Sequence, residues 1–269
     1  MVRNVVSALS LIILLVACGG DPTSPPPTPN PTKPEVDEHG LTTKGLAVRY
    51  KFDDDLKEAT GSGLDGVAQD GVTFIEGRSS KAGKAVRFNG FNGYVKVSGS
   101  KINLLEPQDA FTFSFWINAY RSTGIDQWTH ILSKADNFGK GYVFKWSHNG
   151  VSNLDAFLIY RTSGINTSTD RLTIPNTQYL NRWTHVCYSW SASAGLFVVY
   201  IDGVAAGVFL NGLYRGEHSG DALYIGGQPY TMPNGEVIDR TVPAAIDDLR
   251  VYSRALSYDE IYALSQERE

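Results

Sequence analysis

The sequence predicts an all-β domain, a two-sheet antiparallel sandwich of the jelly-roll type that ends in a short helix. Asn-Gly and Asp-Gly pairs recur along the chain, and these pairs tolerate the positive φ of tight hairpin turns. Short apolar or alternating runs lie between them, as expected for strands. The 27 glycines and 42% hydrophobic residues suit one large, well-filled globular domain.

Each predicted strand is a run bounded by turn residues. Within Phe111–Ile117, period-two alternation sends Phe111, Phe113 and Phe115 into the sandwich and the intervening hydroxyls away from it. The predicted strands are Ala47–Phe52, Ala85–Phe88, Tyr94–Val97, Phe111–Ile117, His130–Ser133, Tyr142–Trp146, Ala156–Tyr160, Thr184–Trp190, Leu196–Ile201, Leu223–Ile225 and Ala245–Tyr252.

The C-terminal helix is predicted from its first turn. Ser257 and Glu260 have the spacing of a capping box, in which each side chain bonds the other residue's amide. We therefore expect a helix from this point through Leu264, packed by Ile261 and Leu264.

Charge and cysteine content exclude two classes of protein. The chain has 28 Asp and Glu against 24 Lys and Arg, a net charge of −4, so it offers no basic surface for nucleic acid. Its two cysteines are Cys18 and Cys187, and the first lies in a segment that processing alters, which rules out a disulfide framework.

The N-terminus predicts a bacterial lipoprotein. Residues 1–17 form a signal peptide, because the apolar run Val5–Ala17 is too short to span a hydrocarbon core of about 30 Å. The run ends in Leu15-Val16-Ala17-Cys18, which resembles the lipobox and implies that Cys18 is the lipidated residue. The only membrane contact expected is therefore through acyl chains. Since Gly19 stands where an Asp would retain the protein, resemblance to enterobacterial sorting implies the outer membrane of the cell envelope. The alternative to lipidation is a secretory signal with an incidental cysteine.

A tether and a folded domain follow the signal peptide. Residues 18–45 hold the lipidated cysteine and a proline-rich stretch, which forms a stiff polyproline II spacer of roughly 40 Å. Residues 46–269 form the domain.

Several segments of the domain match a known pattern in the same order. They include Tyr50–Asp53, Leu64–Gly66, Lys84–Gly90 with Tyr94-Val95, Phe111–Ile117, Ile131–Lys134, Trp183–Val186, Tyr200–Gly203, Tyr224–Gly226 and Ile246–Ser257. The chain from 46 to 264 thus resembles a laminin G-like domain of the concanavalin A-like lectin/glucanase superfamily. The resemblance implies two curved antiparallel sheets packed face to face. It leaves function open, because lectins, adhesins, hydrolases and lyases share this scaffold.

The resemblance also implies a structural calcium ion, Ca²⁺. In the superfamily, calcium often sits between an acid that follows the first strand, a glycine-turn carbonyl and an acid of the last strand. Carried over, the ligands are Asp53, a carbonyl near Asn89-Gly90, and Asp247, although Asn89 stands where the family commonly has Asp. The alternative is a solvated acidic edge paired with Arg250 or Arg87.

No catalytic residue is assigned. Glu236 and Asp239 are three residues apart and would point to opposite faces of a strand, unlike the acid pairs of laminarinase-like relatives. Alginate-lyase-like members need Arg, Gln-x-His and Tyr clusters, which are not evident in the sequence. His185 and Cys187 alternate onto one strand face, but no third group nearby would orient them as a nucleophilic pair.

Sugar binding would need flat aromatic faces flanked by amides and charged groups. Two segments are interpreted as long loops, Ser163–Arg182 and Gln228–Val242, and loops on a rigid sandwich commonly carry binding sites. The candidate ligand-binding residues are Tyr230 and Asn234 in the second loop, with Trp128. The alternative is that each of them only covers an edge of the core.

The sequence therefore predicts a non-catalytic surface lipoprotein that binds a polysaccharide or other glycan. One alternative is an adhesion or envelope module with a protein partner, and another is a divergent glycoside hydrolase or polysaccharide lyase.

Overall fold

The computed structural model describes residues 36–79, 83–106, 109–120, 129–135, 141–148, 153–162, 165–175, 179–210, 222–232 and 234–267. The strands are β1 (Leu46–Tyr50), β2 (Gly66–Ala68), β3 (Val72–Glu76), β4 (Lys84–Phe88), β5 (Val95–Val97), β6 (Ala110–Ala119), β7 (Thr129–Ala135), β8 (Gly141–His148), β9 (Asn153–Thr162), β10 (Ile165–Pro175), β11 (Thr184–Ser191), β12 (Leu196–Ile201), β13 (Val204–Leu210), β14 (Leu223–Ile225), β15 (Pro229–Thr231), β16 (Val237–Asp239) and β17 (Ala244–Tyr252). A 3₁₀ turn spans Ile102–Leu105, and helix α1 spans Tyr258–Gln266. No helix within these described ranges is long and apolar enough to cross a membrane.

The strands form an antiparallel sandwich. In the described residues, sheet 1 has the order β13-β12-β11-β6-β17-β4-β3, with β1 also paired to β17. Sheet 2 has the order β10-β9-β8-β7-β14-β5-β2, and β15 pairs with β16 in a separate hairpin. The predicted two-sheet jelly roll with a short C-terminal helix is therefore confirmed.

Aromatic rings from both sheets fill the core. Phe113 of sheet 1 lies 5.0 Å from Phe144 of sheet 2 between ring centroids, and Phe144 stacks on Tyr188 of sheet 1 at 4.3 Å. All three are buried, as are Phe111 and Phe115. The alternation predicted for β6 therefore places its rings correctly, and edge-to-face and stacked pairs strengthen the packing beyond burial alone.

A second apolar cluster covers the outer face of sheet 1. Its buried members are Leu41, Cys187, Tyr252, Leu256, Ile261 and Leu264. The capping box is complete: the Ser257 hydroxyl accepts from the Glu260 amide, and Glu260 accepts from the Ser257 amide. The hydroxyls of β6 are buried beneath this layer, and Thr112 Oγ1 donates to the Arg254 carbonyl at 2.9 Å. They point away from the sandwich as expected, but the helix layer shields them from solvent.

The two segments interpreted as loops contain strands, which corrects the sequence interpretation. Most of Ser163–Arg182 is β10, paired with β9 from Ile165 to Pro175. Threonine is common in loops, but its β-branched side chain also favours an extended strand. Gln228–Val242 contains the β15–β16 hairpin, whose strands of three residues are too short to show a period.

Candidate functional site

The outer face of sheet 2 carries buried polar residues. Because Tyr142 and Phe144 of β8 point inward to Phe113, the alternate Lys145 points away from sheet 1. The cross-strand partner of Lys145 is His130 of β7. His130 is 4% exposed and Lys145 is 6% exposed, although both lie on a face that the sandwich itself leaves open. Polar residues buried at such a place need bonding partners.

Gln228 supplies part of that bonding. Its Nε2 donates to the Ala135 carbonyl at 2.8 Å. Its Oε1 accepts from Ser133 Oγ and lies 3.2 Å from His130 Nδ1. Gln228 directly precedes β15. Its side-chain amide therefore fixes the base of the β15–β16 hairpin to the end of β7.

The backbone joins the hairpin to sheet 2 as well. The His130 amide donates to the Arg240 carbonyl at 2.9 Å, and the Arg240 amide donates to the Gln228 carbonyl at 3.1 Å. A Cβ on Gly227 would lie 2.7 Å from Thr241 Oγ1, so this close approach favours glycine. The hairpin is thus a fixed extension of sheet 2.

The hydrogen bonds define the tautomer of His130. Since Gln228 Nε2 donates to Ala135, Gln228 Oε1 faces the imidazole and can only accept, so Nδ1 carries the proton. Burial lowers the pKa of His130 well below its usual value, and the charges of Lys145 and Arg240 lower it further. The ring is therefore neutral near pH 7, and Nε2 is an acceptor.

Two buried polar atoms at this place have no hydrogen-bond partner among the described residues. They are His130 Nε2 and Thr241 Oγ1. Thr241 is 1% exposed, and its side chain lies beside Gly227. Unsatisfied buried polar atoms are rare in folded proteins and mark places that water or a ligand completes.

The Arg240 guanidinium lies over the Tyr230 ring on the hairpin. The Arg240 guanidinium carbon lies 3.9 Å from the centroid of the Tyr230 ring, within the range of a cation–π contact. Both residues are half-buried. Tyr230 sits on β15 and Arg240 follows β16, so the hairpin holds the two groups in register.

Two of the three residues predicted for ligand binding lie in the described part of the chain. Tyr230 pairs with Arg240. Asn234 is exposed at the tip of the hairpin, where its Oδ1 accepts from the Glu236 amide at 3.0 Å. Trp128 lies outside the described residues, two positions before His130 in the sequence. The structure thus puts Tyr230 and Asn234 on one hairpin, with Asn234 shaping the turn.

The predicted calcium ligands have separate partners. Asp53 Oδ1 accepts from the Lys84 amide at 3.0 Å. Asn89 Oδ1 accepts from the Phe91 amide at 2.9 Å within its own turn. Asp247 Oδ2 lies 2.8 Å from Arg78 Nη1. Among the described residues no group of three or more His, Cys, Asp or Glu could hold a metal ion. These residues therefore do not fit a shared calcium site, because a guanidinium already faces the most buried carboxylate.

Buried arginines flank Asp248, the residue after Asp247. The Asp248 carboxylate lies between Arg49 at 2.7 Å and Arg250 at 2.9 Å. Burial alone would raise the pKa of Asp248, but the two guanidinium groups hold it well below its usual value. Burial instead raises the pKa of Asp247 to about 7 despite the contact with Arg78.

The Cys187 and His185 side chains are not arranged for nucleophilic chemistry. Burial raises the pKa of the Cys187 thiol and lowers the pKa of His185 to about 3. His185 Nε2 lies 2.9 Å from Ser114 Oγ beneath the helix layer. A buried thiol without a base is inert.

Sequence reasoning missed His130, Gln228, Arg240 and Thr241. They come from segments about 100 residues apart, so no local spacing could reveal them. The available signals were the polar residues that interrupt β7 and the Gly226-Gly227 pair that precedes Gln228. Gly226 has φ +79° and lies against the ring of Phe88, which marks a close approach of the chain.

Comparison with solved structures shows the same fold. Domain 4 of AbnA, an extracellular arabinanase from Geobacillus stearothermophilus in complex with arabinotriose, is 19% identical with a TM-score of 0.57, covering 82% of this chain and 98% of that chain. The binding domain of Paraclostridial mosquitocidal protein 1 is 19% identical with a TM-score of 0.62, covering 82% and 52%. The binding domain of botulinum neurotoxin DC, in complex with rat synaptotagmin II, is 14% identical with a TM-score of 0.62, covering 84% and 52%.

The chain therefore spans about half the length of the two toxin binding domains. No curated protein matches its sequence. The laminin G profile described as concanavalin A-like lectin/glucanases superfamily matches residues 88–262. That range is more than half of the chain and includes β7, β14 and the β15–β16 hairpin. The protein is a laminin G-like member of the concanavalin A-like lectin/glucanases superfamily.

Proposed function

We propose that the domain binds carbohydrate on the outer face of sheet 2, at the β15–β16 hairpin, without catalysis. The observation that carries the proposal is the Tyr230–Arg240 pair, anchored to β7 through Gln228. Aromatic faces pack against the apolar surface of a sugar ring, and a guanidinium and amides bond its hydroxyls. The arabinanase domain of similar fold, in complex with arabinotriose, supports the same class of ligand.

The hairpin is well suited to present such a pair. Backbone bonds and the Gln228 amide fix its position, so little conformational entropy is lost when a ligand binds. The pair is half-buried, so part of its surface is accessible to a ligand.

We also propose that the domain is lipid-anchored through Cys18 on the bacterial outer membrane. The apolar run before Cys18 and the proline-rich tether after it support this proposal. The test is metabolic labelling with a palmitate analogue. Cys18→Ser abolishes the label and releases the chain from membranes if the proposal holds. A labelled or membrane-bound variant would contradict it.

A second candidate function is polysaccharide lyase activity. One observation favours it: the structure brings Arg240, Gln228, His130 and Tyr230 together, the residue types of the alginate-lyase-like cluster, although Gln228 and His130 do not form a Gln-x-His sequence. Binding without catalysis fits better, because His130 is 4% exposed and a general base must reach the proton that it removes.

The test separates the candidates. The full chain is run by affinity electrophoresis through a panel of polysaccharides, and the same samples are assayed for reducing ends and for the ultraviolet absorbance of unsaturated sugars. Retardation without products supports binding, and products support the lyase. The absence of retardation and products across the panel contradicts both and favours a protein partner, the type of complex seen for the botulinum neurotoxin domain.

A further inference from the structure

Asp247 is the carboxylate at which the sequence predicts a metal ion, and it is almost completely enclosed. It is 1% exposed, on the outer face of β17. Its Oδ1 has no hydrogen-bond partner among the described residues. Burying an isolated carboxylate is strongly unfavourable, so Asp247 requires a cation or a proton.

Arg78 occupies the space beside this carboxylate. Its Nη1 donates to Asp247 Oδ2 at 2.8 Å, and its backbone amide lies 3.4 Å from the same oxygen. The Arg78 side chain is 5% exposed, and its guanidinium carbon lies 5.6 Å from the centroid of the Trp116 ring. The guanidinium is therefore enclosed together with the carboxylate.

The same guanidinium reaches the C-terminal end of the described chain. Arg78 Nε donates to the Glu267 carbonyl at 2.8 Å, and Nη2 lies 3.4 Å from Glu267 Oε1. Arg78 follows β3, Asp247 belongs to β17, and Glu267 follows α1. The planar Arg78 guanidinium thus connects these three parts of the chain through several N–H donors, as a bound cation connects its ligands.

Asp53, the other predicted ligand, holds the same hairpin from a different point. It accepts from the Lys84 amide at the start of β4, beside Gly83. The Gly83 carbonyl accepts from the Gly77 amide, which closes the β3–β4 hairpin next to Arg78. Both carboxylates therefore accept hydrogen bonds from the β3–β4 hairpin, Asp53 from Lys84 and Asp247 from Arg78.

We infer that Arg78 is a built-in cation that satisfies the buried Asp247 carboxylate and ties the β3–β4 hairpin to β17 and the end of α1, so that this place takes no calcium ion. The inference is independent of carbohydrate binding. It replaces the calcium site predicted from sequence by an ion pair within the chain.

Thermal unfolding of the full chain tests the inference. Calcium alone is expected to leave the wild-type Tm unchanged, and a chelator is expected to do the same. At about pH 8, Arg78→Gln is expected to lower the Tm by roughly 6 °C, because it leaves a buried carboxylate without its counter-charge. Combining Arg78→Gln with Asp247→Asn is expected to recover part of the loss, since neither member is then charged.

Arg182→Gln is the matched control. Arg182 pairs with Asp202 at 2.7 Å, but its side chain is 43% exposed, so the Tm is expected to change little. If Arg78→Gln does not fold, terbium luminescence of the wild type still decides the calcium question. Calcium-dependent stabilisation of the wild type that Asp247→Asn abolishes, or an Arg78→Gln Tm equal to that of the control, would overturn the inference.

Discussion

Replacing Gln228 by methionine tests whether its amide anchors the β15–β16 hairpin. Methionine nearly preserves the volume and removes the hydrogen bonds, so cavity formation contributes little. Three partners lose their bond to Gln228: Ser133 Oγ, His130 Nδ1 and the Ala135 carbonyl. At about 1 kcal/mol for each net bond, the free energy of unfolding falls by about 3 kcal/mol.

The assay is urea denaturation followed by tryptophan fluorescence and circular dichroism. For a domain of this size, the loss corresponds to a fall in Tm of about 9 °C. Gln266→Met is the matched control, because Gln266 is exposed and its side chain bonds Ser265 Oγ at 3.0 Å on the surface of α1. The control is expected to stay within about 0.5 kcal/mol of the wild type. A Gln228→Met loss below about 1 kcal/mol would refute the anchoring role.

Three further outcomes are expected. Phe113→Ala lowers the free energy of unfolding by about 4 kcal/mol, because it empties the contact with Phe144 between the sheets; chemical denaturation measures the loss. Cys187 resists thiol reagents in the folded protein and reacts after unfolding, because burial raises the pKa of its thiol. The contribution of Asp247 to stability falls as the pH rises, because burial raises the pKa of Asp247 to about 7. The folded state holds a proton that the unfolded chain releases above about pH 4, so this contribution is complete below about pH 4 and is lost through pH 7.

A specific result would contradict each of these three predictions. A Phe113→Ala loss near zero would mean that the rings do not fill the core. Thiol labelling of Cys187 at the rate of a free cysteine, in folded protein that carries Cys18→Ser, would place Cys187 at the surface. For the pH prediction, the stability of the wild type relative to Asp247→Asn should fall between about pH 4 and pH 7, and a difference that stays constant over this range would contradict it.

The fold was predictable because its signals are local. Period-two alternation in β6 and the capping box of α1 both appear in the structure. Among the missed strands, β2, β15 and β16 have only three residues each. The others, β3, β10 and β13, are stabilised by pairing with β4, β9 and β12, which the sequence does not display. The burial of Thr112 was missed for a related reason, since the helix that covers it lies about 145 residues further along the chain.

The candidate site was only partly predictable. Tyr230 was found because an aromatic residue in a turn-rich segment is a local signal. Gln228 and His130 were missed because their hydrogen bond joins positions 98 residues apart. For Asp247, the sequence identifies an acid of the last strand but not its partner, Arg78. The calcium site stays a prediction that rests on the family resemblance, and the ion pair with Arg78 argues against it.

The central claim is that carbohydrate binds beside the hairpin of sheet 2. Isothermal titration with a polysaccharide that retards the full chain tests it most directly, using Tyr230→Ala with Tyr258→Ala as its matched control. Tyr258 is a 54% exposed tyrosine on α1. We expect Tyr230→Ala to weaken binding about tenfold, or ~1.4 kcal/mol, and Tyr258→Ala to bind like the wild type. Equal affinity of the two variants, with both folded, would contradict the claim.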